Sequence, residues 1–222
     1  MNYLYHNISL RITIADNLQF TVCQSIHIES SVQVLANNAK IELPREFRNA
    51  VDQVGKTINI AGKSILDFMK RGDAIKIELG YDGDLQTEFE GYITKIGAEM
   101  PLLLECEDEM FQLKKADRVT KFIKSGKLID ILKAVVPAKY TIECNGDYSI
   151  GKWLIEDATP FNVLDELRDK AGIRAYFKNP TTLAVGMIVD FKPQATHFYN
   201  FSENVRRGSN LKFEQKESKL IF

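Results

Sequence analysis

The sequence predicts an α+β protein that is mainly β, with a barrel-like β domain followed by a small helix-containing α/β domain. Through most of the first hundred residues, apolar residues alternate with polar ones, which is the period of a half-buried strand. From residue 125 the apolar period becomes helical, and strand-like runs return after residue 172. We expect residues 1–115 to form the β-barrel domain and 116–200 the α+β domain. Residues 201–222 would begin a second β domain or complete the first.

Five short strands are expected before residue 70, and Pro44 ends the fourth because proline cannot donate to a β-ladder. A further apolar group is expected to insert into the core without forming a strand. The residues behind these predictions are, in strand order, Ile8, Leu10, Ile12 and Ile14; Phe20 and Val22; Ile26 and Ile28; Ala39, Ile41 and Leu43; Ile58 and Ile60; and, for the inserted group, Ile65, Leu66, Phe68 and Met69.

Arg71-Gly72-Asp73 is a tripeptide that signals cell adhesion in some extracellular proteins. Here it stands directly before an alternating run, where Gly makes a bend and Asp ends a loop. The first residues show no basic leader followed by an apolar block, so we expect no secretion signal. We therefore interpret the tripeptide as the turn that begins a strand.

A β-hairpin is predicted next, followed by a third strand over residues 102–106. Gly80-Tyr81-Asp82-Gly83 supplies the turn, since Gly tolerates positive φ and Asp can hydrogen-bond its own backbone. Gly91 inside the return strand indicates a bulge or the close approach of another backbone. The residues expected on one face are Ile75, Ile77 and Leu79 on the outgoing strand and Phe89, Gly91 and Ile93 on the return strand.

Two helices are predicted after residue 125. The first carries an apolar stripe, with Ser125 as its N-cap and Pro137 as its stop. The second begins with Thr159 as N-cap and Pro160 at the first helical position, and it ends at Gly172. A two-stranded hairpin with its loop at Asn179-Pro180 follows. The stripes are Leu128, Ile131, Leu132 and Val135 in the first helix and Val163, Leu164, Leu167 and Ala171 in the second.

Residues with catalytic or metal-binding potential are sparse. The densest acidic cluster is Glu105, Glu107, Asp108 and Glu109, which could act on a glycosidic bond or bind a hard cation, but is more typical of a solvated strand end. Phosphate-loop and serine-nucleophile motifs are absent. We expect no catalysis, no metal site and no cofactor. We interpret the scattered histidines His6, His27 and His197 as surface or packing residues. We expect Cys23, Cys106 and Cys144 to be reduced, mostly buried thiols.

Composition excludes some classes of partner, but it leaves the role of one aromatic cluster undecided. The formal net charge is −1, with 29 basic and 30 acidic residues, which gives no electrostatic attraction to nucleic acid or anionic membranes. No apolar run approaches the length that spans a membrane. Phe198, Tyr199 and Phe201 could stack on sugars or bases, but such clusters more often fill a core or an interface.

Several segments resemble the first barrel of phage tail hub proteins, the late control protein D and gp27-like family. They are RGDAIKIELGYDG, FEGYITKI and LLLECEDEMFQLKK. TPFNVLDELRDKAGIRAYFKN resembles the family's helix, and SENVRRGSNLKFEQ is similar to its linker into a second barrel. Type VI secretion spike proteins share this hub architecture. The motif residues are Gly72, Asp73, Gly80, Tyr81, Phe89, Gly91, Glu107, Asp108, Thr159, Pro160 and Gly172.

The resemblance implies a structural component of a phage or prophage tail baseplate hub, made in the bacterial cytoplasm and placed in the virion tail. Its implied partners are further copies of itself in a trimeric ring, a tail tube protein and a spike or tail-tip protein. Two other hypotheses stay open. The chain could be a tail-associated cell-wall glycosidase that uses Glu105–Glu109, or a carbohydrate-binding adhesin that uses Phe198, Tyr199 and Phe201.

Overall fold

The structure is a computed structural model with two compact units, Met1–Ile188 and Val189–Phe222. In the second unit, β15 (Glu214–Lys216) and β16 (Lys219–Ile221) pair as an antiparallel hairpin. The predicted domain boundaries at residues 115 and 200 stay a prediction. The described residues are 7–15, 18–31, 33–44, 49–51, 57–59, 68–97, 101–187, 214–216 and 219–221.

The first unit is built on one large antiparallel sheet whose order is β3-β4-β9-β8-β7-β1-β2-β5-β6. The chain therefore places β1 between β7 and β2, so strands distant in sequence pair in the middle of the sheet. The strands are β1 (Ile8–Ile14), β2 (Leu18–Phe20), β3 (Ser25–Glu29), β4 (Asn38–Leu43), β5 (Asn49–Val51), β6 (Thr57–Asn59), β7 (Ala74–Tyr81), β8 (Asp84–Ile96) and β9 (Leu102–Glu107).

One face of this sheet is buried, because every second residue of its long strands is apolar. The mainly β, α+β class is confirmed. The sheet is open and not a closed barrel, since β3 and β6 at its ends have no further strand partner among the described residues. The buried side chains are Ile12, Ile14, Leu18, Phe20, Ala39, Ile41, Leu43, Met69, Ile75, Ile77, Phe89, Ile93, Leu102, Leu104 and Cys106.

The rest of the first unit packs helices against two small sheets. β10 pairs with β12, and β14 lies between β11, to which it is parallel, and β13. Apolar side chains of these elements form a second buried cluster. The elements are α1 (Met110–Lys115), β10 (Val119–Ile123), α2 (Leu128–Val135), β11 (Thr141–Cys144), β12 (Trp153–Ala158), α3 (Pro160–Ala171), β13 (Arg174–Asn179) and β14 (Thr182–Gly186).

Several predicted boundaries need correction. Val22 lies after β2 and is exposed, and Ile8 is exposed at the end of β1. Ser125 is not the N-cap of α2: the cap is Lys127, whose N–H donates to the Ser125 hydroxyl at 3.4 Å. The predicted four-residue turn is a two-residue turn, Asp82-Gly83, in which both residues have positive φ. Ile60, Ile65 and Leu66 lie outside the described residues.

Candidate functional site

The tripeptide Arg71-Gly72-Asp73 forms the turn that begins β7, as predicted. Gly72 has a φ of +93°, a conformation that favours glycine. Its N–H donates to the Ile93 carbonyl of β8 at 2.7 Å, and the Ile93 N–H donates to the Asp73 carbonyl at 2.9 Å. The Asp73 carboxylate accepts the Lys70 N–H at 2.8 Å. These bonds fix the turn against β8.

The arginine of the tripeptide is also held by intramolecular contacts. Arg71 Nε donates to the Thr94 carbonyl at 2.8 Å, and its guanidinium lies 5.7 Å from the centre of the Phe111 ring. Adhesion would require the Arg and Asp side chains to face a receptor. Both are used to close the chain's own turn, which favours the structural interpretation of the tripeptide.

Two glycines of the β7–β8 hairpin lie where another backbone approaches closely. A Cβ on Gly80 would lie 1.7 Å from the Asp84 carbonyl oxygen across the hairpin. A Cβ on Gly91 would lie 2.1 Å from the Glu107 carbonyl oxygen on β9. The predicted close approach at Gly91 is therefore confirmed, and the three central strands meet at a position that only glycine fits.

Asp108 is a buried carboxylate at the junction between β9 and α1, with 5% of its surface exposed. Its oxygens accept the Asn37 N–H at 3.0 Å and the Met110 N–H at 3.0 Å, which ties the end of β9 to the segment before β4 and to the start of α1. Burial raises the pKa of Asp108 to about 6, because the charged form loses solvation, although both hydrogen bonds favour that form.

This pKa predicts a pH-dependent stability. The folded pKa lies above the ordinary value near 3.8, so the folded state binds the extra proton between about pH 4 and 6. The stabilisation is complete below pH 4 and is lost as the pH rises through 6. Relative to an Asp108→Asn variant, the wild type should lose about 2 to 3 kcal/mol of unfolding free energy between pH 4 and 7. Urea unfolding at several pH values measures the difference, and a difference that does not change with pH would contradict it.

Glu109 is the second buried carboxyl group, with 6% of its surface exposed. One oxygen accepts the Tyr92 hydroxyl of β8 at 2.8 Å. The other accepts the Tyr140 hydroxyl and, at 3.1 Å, the Lys139 ammonium group, both from the segment between α2 and β11. One side chain thus joins the large sheet to the α+β part of the unit.

The tyrosines of this junction titrate far from their ordinary range. Burial, followed by the hydrogen bond to Glu109 and its negative charge, raises the pKa of Tyr92 to about 12. The same causes raise the pKa of Tyr140. Both hydroxyls therefore stay protonated at neutral pH and act as donors. We call Glu109, Tyr92, Lys139 and Tyr140 the Glu109 junction.

An open cleft of about 500 Å³ lies beside this junction. Residues 87–92 of β8 line one part of it, and residues 177–180, at the turn between β13 and β14, line another. Asp108 and Glu109 also contribute to its lining. Their carboxyl oxygens are occupied by the hydrogen bonds described above, so the cleft offers no free buried acid–base pair from these two residues.

The sequence matches no family model and no curated protein. The structure, in contrast, is similar to the 43 kDa tail protein of prophage MuSo2 from Shewanella oneidensis, with a TM-score of 0.55 and 15% identity. It is also similar to a tail protein from Neisseria meningitidis MC58, with a TM-score of 0.54 and 16% identity. The chain shares the fold of prophage tail proteins.

The shared fold extends over most of this chain and about half of each relative. The alignments cover 83% of this chain and 57% of the Shewanella protein, and 84% of this chain and 52% of the Neisseria protein. A Francisella PdpA–VgrG complex also matches, with a TM-score of 0.50, 12% identity, and coverage of 83% of this chain and 32% of that chain. The predicted resemblance to tail hub proteins is therefore confirmed as a likeness of fold.

Within this tail-protein fold, the motif residues of α3 form its two ends. The Thr159 hydroxyl accepts the Asn162 N–H at 3.3 Å, Pro160 occupies the first helical position, and Gly172 ends the helix with a φ of +67°. These predicted caps are confirmed. The role of these residues as a family motif stays a prediction.

The cap of α3 gives a simple stability test. Thr159→Ala should lower the free energy of unfolding by about 1 kcal/mol, because the Asn162 N–H loses its partner in the protein. Thr159→Ser keeps the hydroxyl and should stay within about 0.5 kcal/mol of the wild type. Thermal unfolding followed by circular dichroism measures both changes, and equal losses in the two variants would refute the capping role.

The outer acidic residues of the cluster are held in ion pairs. Glu105 lies 3.1 Å from the Lys95 ammonium group, and Glu107 lies 2.5 Å from that of Lys114. The predicted solvated strand end is wrong for Asp108 and Glu109, which are buried. The sequence alone gives no signal for this burial, because Asp108 is bound by Asn37 and Glu109 by Tyr140, which lie far along the chain.

The other predicted features are reported only where the structure describes them. His27 is exposed, and among the cysteines Cys106 is buried while Cys23 and Cys144 are partly exposed. In the described part of the chain, no three His, Cys, Asp or Glu residues are placed to hold a metal ion, and no helix is long and apolar enough to cross a membrane. Predicted residues outside the described ranges are His6, His197, Phe198, Tyr199 and Phe201.

Proposed function

We propose that this chain is a structural component of a phage or prophage tail baseplate hub and works without catalysis. The observation that carries the proposal is the fold shared with a prophage tail protein and a second bacterial tail protein over more than four-fifths of this chain. The similarity in fold to a chain of a Francisella PdpA–VgrG complex supports the same proposal, because the predicted resemblance included spike proteins of secretion systems.

In the proposed hub, copies of the chain form a ring, most simply a trimer, that joins the tail tube to a spike or tip protein. A three-fold ring is a closed assembly, and each subunit contributes the same two surfaces to its neighbours. The β domain of residues 1–115 would form the framework of the ring. The α+β part would be fixed to it through the Glu109 junction.

The occupied carboxyl groups support a structural role over the glycosidase hypothesis. A glycosidase needs one carboxyl group as acid and another as base or nucleophile, both facing the substrate. Here Asp108 and Glu109 accept hydrogen bonds from backbone N–H groups and tyrosines. Glu105 and Glu107 are paired with lysines.

The ring would also have to let cargo pass. The formal net charge of −1 supports a lumen that does not bind DNA, because a basic lumen would retain a polyanion. A strongly positive lumen in an image reconstruction of the ring would contradict this part of the proposal.

Assembly is the decisive test. Light scattering of the whole chain, alone and with candidate tail tube and spike proteins, should detect an assembly that contains about three times 25.3 kDa of this chain. Negative-stain images of that species should show rings. A chain that remains at 25.3 kDa alone and with both neighbours would overturn the proposal. So would hydrolysis of cell-wall glycan that disappears in Glu105→Gln or Glu107→Gln.

A further inference from the structure

β10 and β12 form a two-stranded antiparallel sheet, which we call the ribbon. Its inner face carries Ile123 opposite Trp153, and both are buried. Its outer face carries Phe122 opposite Leu154, which are 50% and 53% exposed. Directly opposed apolar side chains make one continuous surface, so the ribbon presents an uncovered apolar centre.

Charged residues flank Leu154 on both sides, Lys152 directly before β12 and Glu156 within it. Lys152, Leu154 and Glu156 are exposed, whereas Trp153 and Ile155 between them are buried. Residues two apart lie on the same face of a strand. The outer face therefore runs from a basic residue directly before β12, through an apolar residue, to an acidic residue within the strand.

The two flanking charges are unused within the part of the chain that the structure describes. Neither Lys152 nor Glu156 has an ion-pair partner among those residues. The adjacent Asp157, in contrast, is paired with Arg118 at 2.8 Å. Each flanking charge could therefore pair with a group that is not among the described residues.

We propose that the outer face of the ribbon binds the same face of a second copy of this chain, with β12 antiparallel to β12 across a two-fold axis. In this arrangement Leu154 packs on Leu154 of the second copy. Lys152 faces the second copy's Glu156, and Glu156 faces its Lys152, so the same ion pair forms twice.

Charge decides both the occupant and the orientation. A two-fold axis perpendicular to the strands reverses their direction, which places each basic end on an acidic end. The opposite orientation would place like charges together. The apolar centre is small compared with a standard interface, so we expect a weak contact that depends on concentration.

This contact goes beyond the proposed ring and does not require it. A two-fold contact uses the same surface on both partners, whereas a three-fold ring joins two different surfaces. For a free chain the contact produces a dimer. For a trimeric ring whose three-fold axis is crossed by the two-fold axes, it produces a pair of rings, and in both cases association through the ribbon doubles the mass.

Charge reversal tests the proposal on the whole chain. In sedimentation experiments over a range of concentrations, Lys152→Glu alone and Glu156→Lys alone should each weaken the mass-doubling step about tenfold, because either change makes both contacts repulsive. The double variant restores two opposite-charge pairs and should recover the wild-type dissociation constant within about threefold. Lys133→Glu, at an exposed lysine on α2 and outside the ribbon, is the matched control and should leave the dissociation constant unchanged.

Crosslinking gives an independent measurement. In a chain whose partly exposed cysteines are replaced by Cys23→Ser and Cys144→Ser, mild oxidation should link Leu154→Cys chains into covalent dimers. Tyr176→Cys, at a residue 51% exposed on β13, should not produce them.

Three results would overturn the inference. They are the absence of a mass-doubling step, a double variant that stays as weak as the single ones, and equal crosslinking at Leu154→Cys and Tyr176→Cys. A ring that forms without the Leu154→Cys link would sink this inference and leave the proposed function standing. A ribbon dimer that forms without any ring would support this inference and contradict the proposed function.

Discussion

Gly91→Ala should lower the free energy of unfolding by about 3 kcal/mol, the upper end of the usual cost of overpacking a core. The added Cβ would lie 2.1 Å from the Glu107 carbonyl oxygen and 2.9 Å from the Phe89 ring. Neither neighbour can move easily. The Glu107 oxygen is part of the β9 backbone, and the Phe89 ring is buried in the core of the sheet.

The matched control is Gly97→Ala, at the residue directly after the same strand. There the nearest atom to an added Cβ is the Leu103 side chain at 3.3 Å, so a small shift relieves the contact. We expect a change within about 0.5 kcal/mol. Urea unfolding of the wild type and both variants, with unchanged m-values, measures the difference. Equal stability of Gly91→Ala and wild type would show that β9 can move away from β8 at this point.

Glu109→Ala should also lower the free energy of unfolding by about 3 kcal/mol. The substitution removes an acceptor shared by Tyr92, Tyr140 and Lys139, and it leaves the buried Tyr140 hydroxyl without its partner. It also removes the side chain that joins the large sheet to the segment after α2. Stability should therefore fall more than for a surface ion pair.

The control for this prediction is Glu105→Ala, which breaks the more exposed ion pair with Lys95 and should cost about 0.5 kcal/mol or less. A double-mutant cycle of Glu109→Ala with Tyr140→Phe should show a coupling of about 1 kcal/mol or more, because the two groups share one hydrogen bond. If the two losses of unfolding free energy were simply additive, Glu109 would stabilise the fold by filling space and not by its hydrogen bond to Tyr140.

Titration of the tyrosines gives a second readout of the Glu109 junction. In Glu109→Gln the pKa of Tyr92 should fall from about 12 toward its ordinary value near 10, since one cause of its elevation is the negative charge of Glu109. Absorbance of tyrosinate at alkaline pH, compared with a Tyr92→Phe variant, measures the shift. An unchanged titration would leave burial as the only cause.

Local chemistry explains which elements were predictable. The caps of α3 at Thr159 and Gly172 follow from residues within or next to the helix. The turn at Arg71-Gly72-Asp73 follows from the positive φ that glycine tolerates, and the close approach at Gly91 follows from its lack of a side chain. The cap at Ser125 was wrong because Gly126, with a φ of +72°, turns the chain between that serine and α2.

The candidate sites were less predictable than the elements that hold them. An acidic run after a strand is equally compatible with solvent and with burial, and the choice depends on which hydroxyls the fold brings near. Tyr140 is 31 residues from Glu109, and Asn37 is 71 from Asp108. Within the ribbon, Phe122 and Leu154 each look like ordinary strand residues until their register is known.

The sequence alone determined the mainly β character, the two helices and the hairpin of the α+β part, and the turn that requires Gly72. These depend on the period of apolar residues and on backbone conformations within a few residues. The tertiary structure decided that β1 lies between β7 and β2, that the sheet stays open, and that two carboxyl groups are buried at a junction. Those outcomes depend on contacts between distant segments, whose energies no local pattern records.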